Sequence, residues 1–343
     1  MWARPKVKFY GRRRRTAADC AVQAGNVQLG RSVLAVAAAG VLHGPALASE
    51  LGGSSYPIGV NNVLSGILPP PGEFRFYNYY QNYSSNEFAG PNGNSRIPGY
   101  QLNLNVDALR PLYTWAPQFG AFTITSGIVI PIVNVDLKVG ARHEVLTGLG
   151  DIGLQPLLIG WKNAAGTLFI NGGPNVYLPT GKYDANRLAN TGRNSFAFWP
   201  TLNVTWMPSP RLEASAGSVL EFNARNPATR YRTGDEFDTE FEVTGVPLAE
   251  YRWLHIGLNG YVYRQFSDDR VNGADYLNGD RGSTNAIGPI VRCEFGRVGI
   301  VFKYQHEFDV RNRPTGDRLW VQFTVPLNGR LSAAPSFAPP VEK

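Results

Sequence analysis

The chain has 343 residues with 38 Gly, 25 Pro and two Cys, a Gly and Pro load that suits a sheet protein with many turns. Its formal charge of +7 belongs to the N-terminus: residues 1–48 hold eight Lys/Arg and one acid, Asp19, leaving 25 bases against 25 acids beyond them. That neutrality excludes nucleic-acid binding driven by charge, and no later stretch reaches the ~18 consecutive apolar residues that mark a spanning helix.

Residues 1–48 read as an export signal with a long basic region. Arg12–Arg15 supply charge, Val33–Leu42 a short apolar run, and Ala46-Leu47-Ala48 a small-x-small cleavage pattern before Ser49. Cys20 leaves with this segment, so Cys293 stays alone and the mature chain has no internal disulfide. Residues 49–72 follow as a periplasmic lead-in or a plug inside a lumen, moderately apolar from Tyr56 to Leu68 and stiffened by Pro69-Pro70-Pro71-Gly72.

Residues 73–327 then read as about twelve short alternating segments, and repeated alternation marks strands because successive side chains point to opposite faces. Apolar Tyr100, Leu102, Leu104 and Val106 oppose Gln101, Asn103 and Asn105; Leu212, Ala214, Leu220 and Phe222 oppose Glu213, Ser215 and Glu221. Phe237, Phe241 and Val243 oppose Asp238, Glu240 and Glu242, and the last two segments, Ile300–Phe308 and Leu319–Leu327, repeat the pattern. One face suits lipid and the other a wet lumen.

The connections alternate in length. Short ones lie near 116–118, 162–166, 207–211, 249–252 and 296–297; long ones lie near 84–99, 134–147, 180–194, 223–234, 267–283 and 311–315. The pattern predicts a transmembrane antiparallel up-and-down β-barrel with long external loops, short periplasmic turns and both termini periplasmic. Trp115, Trp161, Trp206 and Trp253 all fall beside short turns, as an aromatic girdle at one membrane interface would require. Pro156, Pro174, Pro200, Pro247 and Pro289 fall inside expected strands, where Pro implies either bulges that bend the wall or a local sideways opening. Residues 328–343, rich in Ala and Pro, read as a disordered tail.

Several stretches resemble a family of bacterial outer-membrane proteins named for the meta-pathway of phenol degradation. They are Gly148-Leu149-Gly150-Asp151-Ile152, Pro156, Gly160-Trp161, Pro179-Thr180-Gly181-Lys182-Tyr183-Asp184, Asn190, Gly192 and Phe196-Ala197-Phe198-Trp199-Pro200, together with the Pro69–Gly72 entry. The resemblance covers roughly residues 69–327 and implies an outer-membrane barrel that helps aromatic or hydrophobic compounds enter. The motif residues Gly150, Asp151, Pro179, Thr180 and Gly181 read as structural: Pro and Gly set turn geometry, and Asp151 can accept from backbone amides.

Parity places Glu213, Glu221, Glu240, Glu242, Arg292, Glu294, Lys303 and Glu307 on the inner wall as pore-lining charges, with Tyr261, Tyr263, Tyr77 and Tyr79 as inner aromatics. Opposed charges there either tune permeation or only stabilise the barrel by pairing. A one-residue slip would turn every one of them to lipid. No catalytic, metal or cofactor set is expected: His143, His255 and His306 lack metal-ligand spacing, and Asp268, Asp269, Asp275 and Asp280 read as a solvated acidic loop. The expected function is passive uptake of small hydrophobic or aromatic molecules across the outer membrane. The expected partners are membrane lipid, a small permeant and the barrel assembly machinery. A surface-interaction barrel acting through its loops is the alternative, and an outer-membrane hydrolase the third reading.

Overall fold

The computed structural model describes residues 52–328, so residues 1–48, expected to be an export signal, and most of the expected C-terminal tail lie outside the described residues. Twelve strands close on themselves. They are β1 (Phe74–Ala89), β2 (Gln101–Thr114), β3 (Phe122–Val139), β4 (Arg142–Leu149 continued by Ile152–Lys162), β5 (Leu168–Gly173 and Val176–Leu178) and β6 (Ala197–Phe198 and Thr201–Ser209). β7 (Leu212–Asn223), β8 (Glu236–Gly245), β9 (Leu254–Gln265), β10 (Ser283–Phe295), β11 (Val298–Arg311) and β12 (Arg313–Pro326) complete the wall. Each pairs antiparallel with its neighbours in sequence, and β12 pairs back onto β1 from Arg75↔Pro326 to Ala89↔Arg313. Closure leaves no open sheet edge, and the backbone groups of the wall pair within the sheet except where proline interrupts it. No helix among the described residues is long and apolar enough to cross a membrane, which says nothing about crossing by strands.

One rim carries the connections 90–100, 179–196, 224–235 and 266–282, and the other carries the turns 115–121, 163–167, 210–211, 246–253 and 296–297. Two connections expected to be long are instead paired strand. Asn134 pairs with Thr147, so β3 and β4 run on to a two-residue turn at Gly140-Ala141. The 311–315 connection shrinks to Asn312. Both turns sit at left-handed residues, Gly140 at φ +59° and Asn312 at φ +51°, which lets the chain reverse at once.

From β7 to β12 the expected parity is the observed one. Leu212, Leu258, Phe302 and Leu319 are exposed on the outside, while Glu213, Glu240, Tyr261 and Lys303 are buried inside. In β2 it is inverted, and the apolar residues in the loop-rim part of β3 face inward beside it. Leu102, Leu104 and Val106 of β2 face Leu137, Val135 and Val133 of β3 across the inner surface and line an interior cavity. Asn103, Asn105 and Asp107 point outward, contrary to the expectation that the apolar face of β2 meets lipid. They stay out because they satisfy one another: Asn78 donates to Asp107 at 2.5 Å, Asn82 to Asn103 and Asn105 at 2.8 Å each, and Asn134 to Thr147 at 2.7 Å.

The prolines sort into two groups. Pairing breaks in three successive strands, at Pro156 in β4, at Pro174-Asn175 in β5 and at Trp199-Pro200 in β6. Pairing of β10 with β11 also lapses beside Pro289. Pro247 lies in the 246–253 turn rather than in a strand. Asn175 fills part of the β5–β6 break, its side-chain amide donating to Trp199 O at 3.0 Å and Gly173 O at 3.3 Å.

Candidate functional site: a plugged lumen with an apolar chamber

The segment before β1 lies inside the barrel. Glu221 accepts from Ser55 N at 3.0 Å and Tyr56 N at 2.8 Å. Glu240 accepts from Gly59 N, Val60 N and Asn61 N at 2.7, 3.1 and 2.5 Å. Glu242 accepts from Leu64 N at 3.0 Å. Two inward carboxylates spaced by the two-residue period of β8, Glu240 and Glu242, and a third from β7, Glu221, thus satisfy backbone amides that would otherwise be buried without acceptors.

The opposite wall takes the carbonyls. Lys303 Nζ donates to Gly59 O at 2.6 Å, Val60 O at 3.1 Å and Asn62 Oδ1 at 2.6 Å, and Gln322 Nε2 donates to Val60 O at 2.8 Å. The inner segment also needs glycine where it meets the wall. Gly59 sits at φ +88°, and a Cβ there would lie 2.4 Å from Gln305 Oε1; a Cβ on Gly66 would lie 2.3 Å from Thr205 N.

The other charges expected to line a pore are paired, and all but the half-buried Glu294 are buried. Arg292 bonds Glu213 at 2.5 Å and lies 3.3 Å from Glu294, with Nδ1 of His255 3.0 Å from its Nη2. Glu307 accepts from Tyr83 OH at 2.7 Å, Tyr261 OH at 2.6 Å and Arg318 Nη2 at 3.2 Å. Tyr263 is buried under the Arg313 guanidinium, 3.9 Å from its ring centroid. Parity therefore located these side chains on the inner wall, while their partners, held together by the barrel's closure, were not legible.

What remains open is a chain of cavities beside the inner segment, on the β1–β3 side. A chamber of about 280 Å³ towards the loop rim is walled by the inverted apolar face of β2, by the inward apolar residues of β3 and by Leu188 and Ala189 of the 179–196 connection. A neck of about 40 Å³ follows, and then a chamber of about 120 Å³ towards the turn rim. Tyr79 lines all three, and Arg110 lines the neck and the lower chamber. Trp199 forms one side of the neck, stacked on Tyr177 at 5.0 Å and tilted against Tyr56 at 5.5 Å. An apolar wall with few polar groups suits a small hydrophobic or aromatic guest; a dry apolar cavity of ~150 Å³ already admits benzene.

Of the motif residues, Asp151 lines the larger chamber, and the others tie down the connection beside it. Asp151, in the break of β4, accepts from Gly181 N at 2.9 Å and Arg193 N at 2.7 Å; Thr180 Oγ1 donates to Gly150 O at 3.0 Å and accepts from Ile152 N at 2.9 Å. A Cβ on Gly150 would lie 2.9 Å from Val133 Cγ2, and one on Gly181 2.5 Å from Gly192 Cα. Pro179 opens the connection that these bonds tie down.

Around the turn rim, Trp115, Trp206 and Trp253 are exposed and Trp161 half-buried, with Trp253 stacked on Phe295 at 5.7 Å. In the acidic loop each carboxylate has a partner: Asp268 pairs with Arg281 at 2.7 Å, Asp275 with Arg270 at 3.1 Å, Asp280 with Arg96 at 2.6 Å, and Asp269 with the Tyr231 hydroxyl. Among the described residues no group of three His, Cys, Asp or Glu is placed to hold a metal ion. His306 stands on the outer wall 2.7 Å from Asp317, which also accepts from Tyr304 OH at 2.6 Å.

Residues 85–323 match the family described as "Putative MetA-pathway of phenol degradation". An outer membrane channel from Pseudomonas putida F1 is similar in structure, with TM-score 0.67 at 15% identity over 76% of this chain and 97% of that one. The beta domain of a Bordetella autotransporter reaches TM-score 0.44 at 8% identity, over 74% of this chain and 98% of that one. The first likeness places the chain among closed outer-membrane barrels by fold; the second is too weak to add to it. No curated protein matches the chain.

Proposed function

This chain belongs to the family described as the MetA-pathway of phenol degradation, and on that premise we propose that it is a channel of the bacterial outer membrane for passive uptake of small hydrophobic or aromatic compounds. The observation that carries the proposal is the apolar chamber inside a closed barrel, adjoined by an aromatic-lined cavity and a second chamber that share Tyr79 with it. In this reading the loop rim faces outside, both termini face the periplasm, and the Trp residues of the turn rim anchor the barrel at the inner interface. The inward glutamates and Lys303 then act as ties on the inner segment, and a permeant moves beside that segment rather than through a wide aqueous pore.

Uptake is tested in cells that carry or lack the chain. A radiolabelled monoaromatic hydrocarbon supplied at low concentration should enter more slowly in the deletion strain, with wild-type rate restored by the complementing chain. Equal rates with and without the chain would overturn the reading and move weight to a surface role of the loops.

A further inference from the structure

The interior arginines of the lower chamber are answered by carboxylates, with one exception. Arg292 has Glu213 and Glu294, and Arg75 and Arg297 both pair with Glu73. Arg110 lines the same space and forms no ion pair among the described residues. Its Nε donates to Gln155 Oε1 at 2.6 Å, its Nη1 donates to Tyr79 OH at 3.1 Å, and its guanidinium carbon lies 5.7 Å from the Tyr77 ring centroid. Nη2 has no acceptor among the described residues. A guanidinium stays charged at any working pH, and the half-buried Arg110 turns its unpaired edge to the cavity. Its surroundings are phenol hydroxyls, an amide and rings, none of which supplies a negative charge.

The position matters as much as the missing partner. Arg110 sits where the neck opens into the lower chamber, and Tyr56, Val129 and Tyr177 line both that neck and the apolar chamber above it. At the loop end of the same chamber, Arg313 is buried with Nε and Nη1 unpartnered. The space therefore has apolar and aromatic walls interrupted by polar groups, Asp151 among them, and under-partnered guanidinium groups at its two ends.

We propose that this site takes aromatic monocarboxylates, with the carboxylate on Nη1 and Nη2 of Arg110 and the ring in the neck, against the Tyr56, Val129 and Tyr177 side that the neck shares with the apolar chamber. The inference rests on the channel reading above and narrows its permeant. A planar guanidinium meets a carboxylate through parallel N–H···O bonds, a match that a neutral analogue cannot reproduce. Arg110 is a specificity-determining residue of the neck.

The test compares sodium benzoate with its neutral isostere benzamide, titrated at pH 7 into the full chain refolded in detergent, by calorimetry. Wild type should bind benzoate roughly tenfold more tightly than benzamide, the scale of one charge-assisted hydrogen bond. Arg110→Gln should bring benzoate down to the benzamide value and leave benzamide unchanged. Arg110→Lys, which keeps the charge and loses the fork, should fall between. Heat-modifiable migration on a gel confirms that each variant is folded. Equal binding of the two ligands by wild type, or an equal loss of both in Arg110→Gln, would overturn the carboxylate proposal and leave the channel reading standing. Absence of binding by either ligand would overturn both, because the chamber itself would then take no aromatic guest.

Discussion

Lys303 is fully buried, and its three hydrogen bonds all reach the inner segment. Lys303→Met keeps the length and apolar stem but strands the Asn62 amide oxygen and leaves Gly59 O and Val60 O with one neutral amide donor each, Gln305 and Gln322. The expected cost is roughly 3 kcal/mol in urea unfolding, since hydrogen bonds from a charged donor are worth about 1.5–3 kcal/mol each and part is recovered by relaxation. At the loop rim Asp269 is a separate case. Burial raises its carboxyl above the ordinary range, although Tyr231 OH, Gly234 N and Gln265 Nε2 all donate to it and pull the other way. A carboxyl raised on folding binds more protons folded than unfolded, so its contribution is greatest below the unfolded value of 3.8 and is lost as pH rises through the folded one. The Tm of wild type relative to Asp269→Asn should therefore fall as pH is raised from about 4 towards neutrality. A difference that is flat or rises with pH would contradict this assignment.

At the scale of the elements, the breaks in β4, β5 and β6 stand side by side, at Pro156, Pro174 and Pro200. Pro200 accepts from Leu220 N at 3.2 Å and has no N–H to return, so this stretch of wall holds fewer ladder bonds than its neighbours. Asn175, Trp199 and Tyr177 close it from within with side chains. Pro200→Val supplies the missing donor and should stabilise the barrel by about 1 kcal/mol if the backbone accepts it without strain. If permeant leaves sideways through this patch, the same variant should also slow hydrocarbon uptake; unchanged uptake with raised stability would place the exit at the turn rim instead. The inverted face of β2 belongs to this scale as well. An alternating strand declares that it has two unlike faces, but which face turns inward depends on what its neighbours present. Here Asn78, Asn82 and Asn134 on adjacent strands complete an outer amide ladder, and the apolar side is left to build the chamber.

For the whole molecule, the inner segment decides how open the lumen is. Glu240 alone accepts three amides of that segment. Glu240→Ala removes those acceptors and should loosen the segment without unmaking the wall. In a planar bilayer the refolded wild type should give small or rare conductance steps, and Glu240→Ala larger and more frequent ones. Identical traces would mean that the segment does not gate ion flow. The comparison also separates the two roles open to the inward charges at the outset, tuning permeation or stabilising the barrel by pairing.

Alternation, loop spacing and the four rim tryptophans were sufficient by themselves to identify a closed antiparallel barrel and to place Glu213, Glu240, Tyr261 and Lys303 on its inner wall. These are local properties: a period of two and the turn chemistry of Gly, Pro and Asn are written residue by residue. Gly150, Asp151, Thr180 and Gly181 were legible as a structural motif for the same reason, and their bonds tie the 179–196 connection over the β4 break. Arg110 was missed: in sequence it is one base between Leu109 and Pro111, and nothing nearby reveals that no carboxylate will face it. The filling of the lumen by residues 52–72, the inversion of β2, and the isolation of Arg110 were decided only by the tertiary structure. Each depends on groups more than a hundred residues apart, or on which of two faces the closed wall turns inward. Burial then sets the outcome, because every amide, carbonyl and charge removed from water must find its partner among whatever closure has brought close.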